Sequence, residues 1–427
     1  MDEVFHVPQV QKYCQGNFSA WDPMITTLPG LYLVTVGVLG PVQYVTNLST
    51  GALCSTFNLR AVNVLFCTGN LYLIYCIHQF LHNNDKDEKT PKLTTTLTSL
   101  TLGIFPVLYF FTFLYYTDPG STFFVLMMYL FHLHKYKFIS AIAGILAIFF
   151  RQTNIIWVVF VAGLSARTYL LNWIHHHRKE KKIDDGNYVK VTLALLRLLL
   201  SPVQFCTVIL RILLGTFWYI MVGVGFAVFV YINGSIVVGD KSHHEACLNF
   251  PQIFYFFFMC IFFSSMHLIS PSKIFNFMKF AIFKFYLVIP FVLLAYFAIW
   301  KYTYIHIYLL SDNRHYTFYI WSKIFERHPH VRYILIPVYL YTAWSIHDSL
   351  HHKDVLWRLV YFICLVYFHS APETPGVQIF YYTVYNSSSQ YEISELRSSG
   401  FGDAPVHYNK CIYYLHVYTE AVQVVGQ

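Results

Sequence analysis

The feature that most constrains this chain is a succession of apolar stretches running from Leu28 to Ser370, many close to the length a helix needs to cross hydrocarbon. A crossing helix takes roughly 20 predominantly apolar residues. The stretches predict ten spans, near 53–80, 94–114, 120–133, 138–150, 155–172, 206–232, 251–270, 285–303, 331–347 and 355–370. Only 12% of residues are charged and 56% are hydrophobic, against about a quarter charged in an ordinary soluble domain. Too little polar surface remains to clothe a water-soluble fold. The expectation is an all-α, polytopic membrane protein with lipid as its main solvent.

The stretch 28–46 is apolar too, but Pro29, Gly30, Gly40 and Pro41 interrupt it. It is expected to form a surface or re-entrant segment that does not cross. With 28–46 kept on one side, alternation of the spans puts five loops on one face, at 81–93, 133–137, 173–192, 271–284 and 348–354. These hold Lys86, Lys89, Lys92, Lys135, Lys137, the run Arg178-Lys179-Glu180-Lys181-Lys182, Lys273, Lys279, Lys284 and Lys353. An excess of cations marks the cytosolic side of a membrane protein. The modest formal net charge of +8 therefore reports orientation, and no nucleic-acid partner is expected. The opposite loops, 1–27, 115–119, 151–154, 233–250 and 304–330, carry fewer cations. They also hold the glycosylation-type triplets Asn17-Phe18-Ser19, Asn47-Leu48-Ser49 and Asn233-Gly234-Ser235, given a 28–46 segment that does not cross.

The non-cytosolic loops hold nearly every unusual polar cluster: Asp2-Glu3-Val4-Phe5-His6, Trp21-Asp22-Pro23, Tyr115-Tyr116-Thr117-Asp118, Arg151-Gln152-Thr153-Asn154, Gly239-Asp240-Lys241-Ser242-His243-His244-Glu245 and Asp312-Asn313-Arg314-His315-Tyr316. Carboxylates and bases on one face suit a reaction that needs a general base and an anion clamp. Any single cluster also reads as a solvated loop. Arg151 stands apart because it lies between two apolar runs, where an ionisable group usually faces a cavity or a partner. The triple His175-His176-His177 sits in the basic cytosolic loop and reads as a solvated helix end. His244-Glu245 begins like a zinc-protease motif, but Leu248 occupies the position of the second ligand. The 9 cysteines form no CxxC pair and no zinc spacing, and most lie in apolar runs as small apolar residues. No Gly-rich phosphate loop is present, and neither a metal nor a cofactor is called for. The start Met1-Asp2-Glu3-Val4 lacks the pattern of a cleavable signal peptide.

Four runs carry a resemblance: Asp2-Glu3-Val4-Phe5-His6-Val7-Pro8-Gln9, Trp21-Asp22-Pro23-Met24-Ile25-Thr26-Thr27, Phe150-Arg151-Gln152-Thr153-Asn154 and Asp312-Asn313-Arg314-His315-Tyr316-Thr317-Phe318-Tyr319. With Gly239–Cys247 they resemble, in the same order and to about Phe368, the endoplasmic-reticulum alpha-1,2-glucosyltransferases of lipid-linked oligosaccharide assembly. The resemblance implies a GT-C architecture in the endoplasmic-reticulum membrane, with a lumenal active site. It divides the chain into a first lumenal loop (1–52) with catalytic carboxylates and the re-entrant or interfacial segment, a transmembrane body (53–370) and a divergent, polar, disorder-prone tail (371–427). It implies that glucose passes from dolichyl phosphate glucose to a diglucosylated, dolichyl-diphosphate-linked oligosaccharide as the terminal alpha-1,2 residue. A beta-linked donor and an alpha product imply one inverting displacement, which needs a carboxylate to deprotonate the acceptor hydroxyl.

The resemblance places that base in the first lumenal loop, as Asp2 or Glu3, with Asp2 favoured. Arg314 and His315, with Arg151 as a further candidate, fit the donor phosphate, because Arg can fork onto two oxygens and His can donate from a ring nitrogen. A salt bridge from Arg314 to Asp312 is the competing role. Asp22, Asp118, Asp240, His243, His244, Glu245, Asp312 and Tyr316 are candidates to hold the acceptor or to organise the loops. Trp21, Tyr316 and Trp321 fit sugar stacking or interfacial anchoring equally well. Two departures from the family pattern stand out. A membrane helix is expected before the Asp-Glu pair, and a Glu-Phe-Arg-Tyr-Phe type motif with further helices is expected after Ser370. Two other function classes compete: a transporter or channel accessory using Arg151 to line a path, although no inverted repeats are visible, and a non-catalytic, degenerate family member.

Overall fold

A computed structural model describes residues 3–83, 92–177, 188–241, 251, 254, 257, 261, 262, 265–303 and 316–349. Among these, all regular structure is helical. The described residues divide into two compact units, one built from those of 3–173 and 203–241, the other from those of 174–202 and 251–349.

In the first unit the helices are α1 (Glu3–Cys14), α2 (Gly30–Thr46), α3 (Thr50–Leu53), α4 (Thr56–Asn83), α5 (Lys92–Gly103), α6 (Pro106–Thr112), α7 (Thr117–Leu133) and α8 (Lys137–Phe150), followed by a 3-10 turn (Gln152–Asn154). Most of α9 (Ile155–His177) and α11 (Pro202–Asn233) also belong here, whereas α10 (Tyr188–Leu199) belongs to the second unit. Among the described residues four helical segments are long and apolar enough to cross a membrane: Thr56–Leu81, Gln152–Trp173, Pro202–Asn233 and Phe285–Tyr302.

Several boundaries differ from the sequence reading, each for a local reason. The span expected at 94–114 is two helices. Phe105 is extended (ψ 131°) before Pro106, because the proline ring disfavours helical backbone at the preceding residue. The stretch 28–46 is not interrupted at Gly40-Pro41. It is one helix of 17 residues, about 25 Å long and shorter than the roughly 30 Å of bilayer hydrocarbon. Pro41 removes one backbone donor, and the rest of the ladder carries the helix through. Much of the expected first lumenal loop is the helix α1, and the basic segment 271–284 is largely the helix Pro271–Phe283, opened by Ser270, whose Oγ accepts from the Lys273 N–H at 3.1 Å. His175–His177 form the last turn of α9. The expected span 355–370 and the tail lie outside the described residues.

The core of the first unit is aromatic. α7 packs along both α8 and α4, and Phe66, Phe124 and Phe150 meet edge-on or tilted at ring-centroid distances of 5.1–6.1 Å. Two glycines let the end of α8 seat this closely. A Cβ on Gly120 would lie 2.2 Å from the Phe150 ring, and one on Gly30 would lie 2.5 Å from the Phe149 carbonyl group. The N-termini of α7 and α2 are thereby pressed against the C-terminus of α8, one residue before Arg151.

Asparagines satisfy the irregular backbone nearby. Asn63 of α4 donates to the carbonyls of Leu114 and Tyr116 at 2.6 and 2.8 Å, and Asn70 to that of Pro119 at 3.0 Å. Asn154 donates to the Ala147 carbonyl and to Ser121 Oγ, both at 2.7 Å. Buried backbone groups without partners are costly, so these amides permit the α6–α7 and α8–α9 breaks within an apolar body. In the second unit Ala295, Ile299 and Ile336 form a small core. There Tyr341 and Ser345 both donate to the Leu268 carbonyl, at 2.7 and 2.9 Å.

Candidate active site

Four of the five loops placed opposite the cationic face by the sequence meet in the first unit. They are 1–27, 115–119, 151–154 and the described part of 233–250. The Asp240 N–H donates to the Pro23 carbonyl at 2.8 Å, the Val238 N–H to that of Thr26 at 3.1 Å, and Gln152 Nε2 to the same Thr26 carbonyl at 2.9 Å. Gly239 has φ +76°, and a Cβ there would lie 2.5 Å from the Pro23 oxygen. Only glycine fits this contact.

Glu3 opens α1 and is the best-defined carboxylate of the cluster. Arg60, in the second turn of α4, forks onto it, with Nε to Oε1 at 2.8 Å and Nη2 to Oε2 at 2.7 Å. The backbone N–H of Tyr115 adds a third bond to Oε1 at 2.8 Å. The Arg60 side-chain bonds, and then the Tyr115 amide, hold the Glu3 carboxyl below its ordinary value against the opposing effect of partial burial. The rest of α1 is fastened as firmly. Buried His6 meets the Tyr32 hydroxyl at 2.5 Å through Nδ1, and Tyr13 packs edge-on against Tyr32 and Phe18. Cys14 is disulfide-bonded to Cys54 across a sequence separation of 40 residues. Gln11 Nε2 donates to the Cys54 carbonyl at 3.2 Å.

Arg151 and Asp118 are brought together, although the sequence assigned them separate roles. Arg151 Nη2 donates to Asp118 Oδ2 at 2.8 Å and Nε to Thr117 Oγ1 at 3.1 Å, with the Tyr116 ring 5.7 Å from the guanidinium carbon. The side chains are only 11% and 2% exposed. Asp118 also sits in the first turn of α7, where the helix dipole favours an anion. The ion pair bolts the end of α8 to the start of α7 and compensates the Arg151 charge.

Asp22 is hydrogen-bonded within its own loop and to α1. Its Oδ1 accepts from the Met24 N–H at 3.0 Å, and its own N–H donates to Gln9 Oε1 at 3.1 Å. Trp21 Nε1 reaches the Ile25 carbonyl at 3.3 Å, and its ring lies 6.1 Å from that of Tyr32. In the second unit the Trp321 ring is covered by the Arg332 guanidinium at 5.6 Å. Tyr316 opens a short helix, Tyr316–Ile320. Asp2, His243, His244, Glu245, Asp312, Arg314 and His315 lie outside the described residues. Among the described residues no group of three His, Cys, Asp or Glu is arranged to hold a metal.

Sequence reasoning missed Arg60 and the Cys14–Cys54 bond. The signal for Arg60 was present, as the one cation in an apolar run, near the end that the charge pattern made non-cytosolic. Cys14 and Cys54 both lie in segments placed on the side away from the cations, outside the crossing runs or at the edge of one. Only the fold pairs them.

A model of the DIE2/ALG10 family matches residues 1–384. The chain belongs to that family. The match extends past Ser370, into the segment expected to diverge. A Homo sapiens relative named Dol-P-Glc:Glc(2)Man(9)GlcNAc(2)-PP-Dol alpha-1,2-glucosyltransferase is 46% identical over 371 residues, covering 86% of this chain and 78% of the relative. Proteins of the same name from Arabidopsis thaliana and Drosophila melanogaster are similar at 35% and 34% identity, covering 90% and 84% of this chain and 84% and 76% of their own length. No solved structure matches.

Proposed function

We infer that the protein transfers glucose from dolichyl phosphate glucose to the diglucosylated, dolichyl-diphosphate-linked oligosaccharide, forming the terminal alpha-1,2 bond. The observation that carries this reading is the family match over residues 1–384, with relatives of that printed name 34–46% identical across most of the chain. The convergence of four polar loops supports it, because a displacement between two large lipid-linked substrates needs several groups at one end of a membrane body.

The acceptor hydroxyl oxygen bonds to the anomeric carbon of glucose as the bond from that carbon to the phosphate oxygen breaks. The hydroxyl proton passes to a carboxylate, and dolichyl phosphate leaves with the electron pair. Attack from the face opposite the leaving group converts the beta donor to the alpha product. Asp2 or Glu3 is assigned as base. Arg314 and His315 are assigned by the resemblance to the leaving phosphate. Arg151 is less suited to that task than the sequence suggested, because Asp118 already matches its charge. Asp240 lies in a stretch docked on the Trp21–Thr26 loop, which fits a loop-organising role, and the resemblance assigns His243, His244 and Glu245 an acceptor-side or loop-organising role.

The active site is placed in the lumen of the endoplasmic reticulum, within a GT-C body of about ten membrane helices spanning 53–370. The first loop, 1–52, is its lumenal element, with α2 lying in or near the membrane surface. The charge pattern supports this orientation, and so does the Cys14–Cys54 bond, since disulfides persist in oxidising compartments such as that lumen.

The test is transfer in microsomes from a strain lacking the last glucose addition. Wild-type chain is expected to extend the diglucosylated glycan by one glucose, and Asp2→Asn to give none at equal expression. Absence of transfer by wild-type chain refutes the assignment of activity.

A further inference from the structure

We propose that Asn17 is an N-glycosylation site, its side-chain amide receiving an oligosaccharide from a lipid-diphosphate-linked donor at the exposed turn that follows α1. The proposal rests on the lumenal placement of the first loop under the transferase reading. It selects one of three Asn-X-Ser triplets that the sequence leaves equivalent.

An acceptor asparagine needs a surface loop, a hydroxyl two residues on and room for a bulky glycan. Asn17-Phe18-Ser19 meets all three conditions. α1 ends at Gly16, whose φ is +82°. The Asn17 N–H donates to the Lys12 carbonyl at 3.0 Å, and that of Gly16 to the Tyr13 carbonyl at 2.9 Å. This pair of bonds closes a glycine-terminated helix and turns the chain outward. Residues 15–19 are exposed, and a Cβ built on Gly16 would meet nothing within 4 Å. Ser19 Oγ donates to Asn17 Oδ1 at 3.1 Å, so the hydroxyl already lies against the amide carbonyl. Among the described residues Asn17 Nδ2 makes no hydrogen bond. The Phe18 ring packs edge-on against Tyr13 at 5.3 Å, which steadies the turn.

The other two triplets are less suited. Asn233 Nδ2 donates to the carbonyls of Ser235 and Val237, each at 2.8 Å, and an amide nitrogen has only two hydrogens to give. Asn47 sits at the left-handed C-cap of α2 with φ 51°. Its partner hydroxyl, that of Ser49, is turned toward α3, where it accepts from the Ala52 N–H at 3.4 Å. Exposed Tyr44 and Val45 precede it, at the end of a helix assigned to the membrane surface, where a second enzyme has little access.

The new bond joins Asn17 Nδ2 to C1 of the donor's reducing-end sugar. The bond from that C1 to the diphosphate oxygen breaks, the lipid diphosphate leaves with the electron pair, and the amide gives up one proton. The donor belongs to the class of compound that the proposed glucose transfer extends. α1 has 12 residues and is about 18 Å long, so the glycan stands at the opposite end of the helix from Glu3.

The experiment expresses the full chain in cells that carry out N-glycosylation and reads its mobility on a denaturing gel, before and after an amidase that removes Asn-linked glycans. Wild type is expected to lose one glycan-sized step. Asn17→Gln and Ser19→Ala are expected to run at the treated position from the outset. Ser19→Thr keeps the step, and so do Asn47→Gln and Asn233→Gln. A step retained in Asn17→Gln overturns the proposal, as does a wild-type chain that the amidase leaves unchanged. A flexible insert carrying an Asn-Gly-Thr triplet, placed after Gly16 in Asn17→Gln, separates the two readings. A modified insert beside an unmodified wild-type Asn17 sinks the site and keeps the lumenal placement. An unmodified insert counts against the lumenal placement itself and overturns the proposal with it. The gel reads denatured chain, so variants that fold poorly still report.

Discussion

Replacing Arg151 with Met tests how the candidate site is held together. The guanidinium and the Asp118 carboxylate meet at 2.8 Å with side chains 11% and 2% exposed, so water compensates little for a lost partner. Removing one member of a buried pair typically costs about 3–5 kcal/mol, because the other is left as an uncompensated charge. At about 1.4 kcal/mol per tenfold change, that lowers the folded-to-unfolded ratio by roughly 100- to 4,000-fold. Asp118→Asn alone is expected to fall in the same range. The double variant Asp118→Asn with Arg151→Met is expected to cost distinctly less than the sum, since no charge is stranded. Thr117 Oγ1 also loses its partner in both Arg151 variants, so part of the cost persists. The assay is monodisperse protein remaining after a heating series in detergent, read by size exclusion. Additive losses, or single variants within about 1 kcal/mol of wild type, the level of an exposed pair, refute the view that this pair bolts α7 to α8.

Three other outcomes follow from the same geometry. Cys54→Ser opens a loop of 40 residues and is expected to cost about 4 kcal/mol by chain entropy. Thiol alkylation with a mass tag checks the bond itself, with Cys14 blocked in wild type and labelled in Cys54→Ser. Glu3 titrates below its ordinary value of 4.5 in the folded chain, so its contribution is present above about pH 4.5 and is lost as pH falls through the depressed folded value. Glu3→Gln is expected to flatten that part of an acid-unfolding curve, and an unchanged curve refutes the ion pair. Gly30→Ala puts a Cβ 2.5 Å from the Phe149 carbonyl group, and overpacking of this kind costs about 1–3 kcal/mol. A thermal midpoint equal to wild type counts against the close seating of α2 on α8.

The sequence by itself determined the solvent of this chain and its helical class. Span-length apolar runs leave helices as the natural way to satisfy backbone in lipid. The asymmetry of Lys and Arg sorted the loops, and four of the sorted loops are neighbours in the fold. It also determined the family, through the run that begins Asp2-Glu3 and the runs around Trp21, Arg151 and Asp312. Local breaks were legible only in part. Pro106 splits a run and opens a new helix, while Pro41 lies inside α2. Tertiary structure alone decided which charge meets which. Glu3 and Arg60 are 57 residues apart, Arg151 and Asp118 are 33, and Cys14 and Cys54 are 40. Periodicity and charge count are local properties and carry no information about partners at such separations. Packing supplies that information: Phe149 and Phe150 against Gly30 and Gly120 bring the helix ends together. That choice of partners gave Arg151 the Asp118 carboxylate and Glu3 the Arg60 guanidinium.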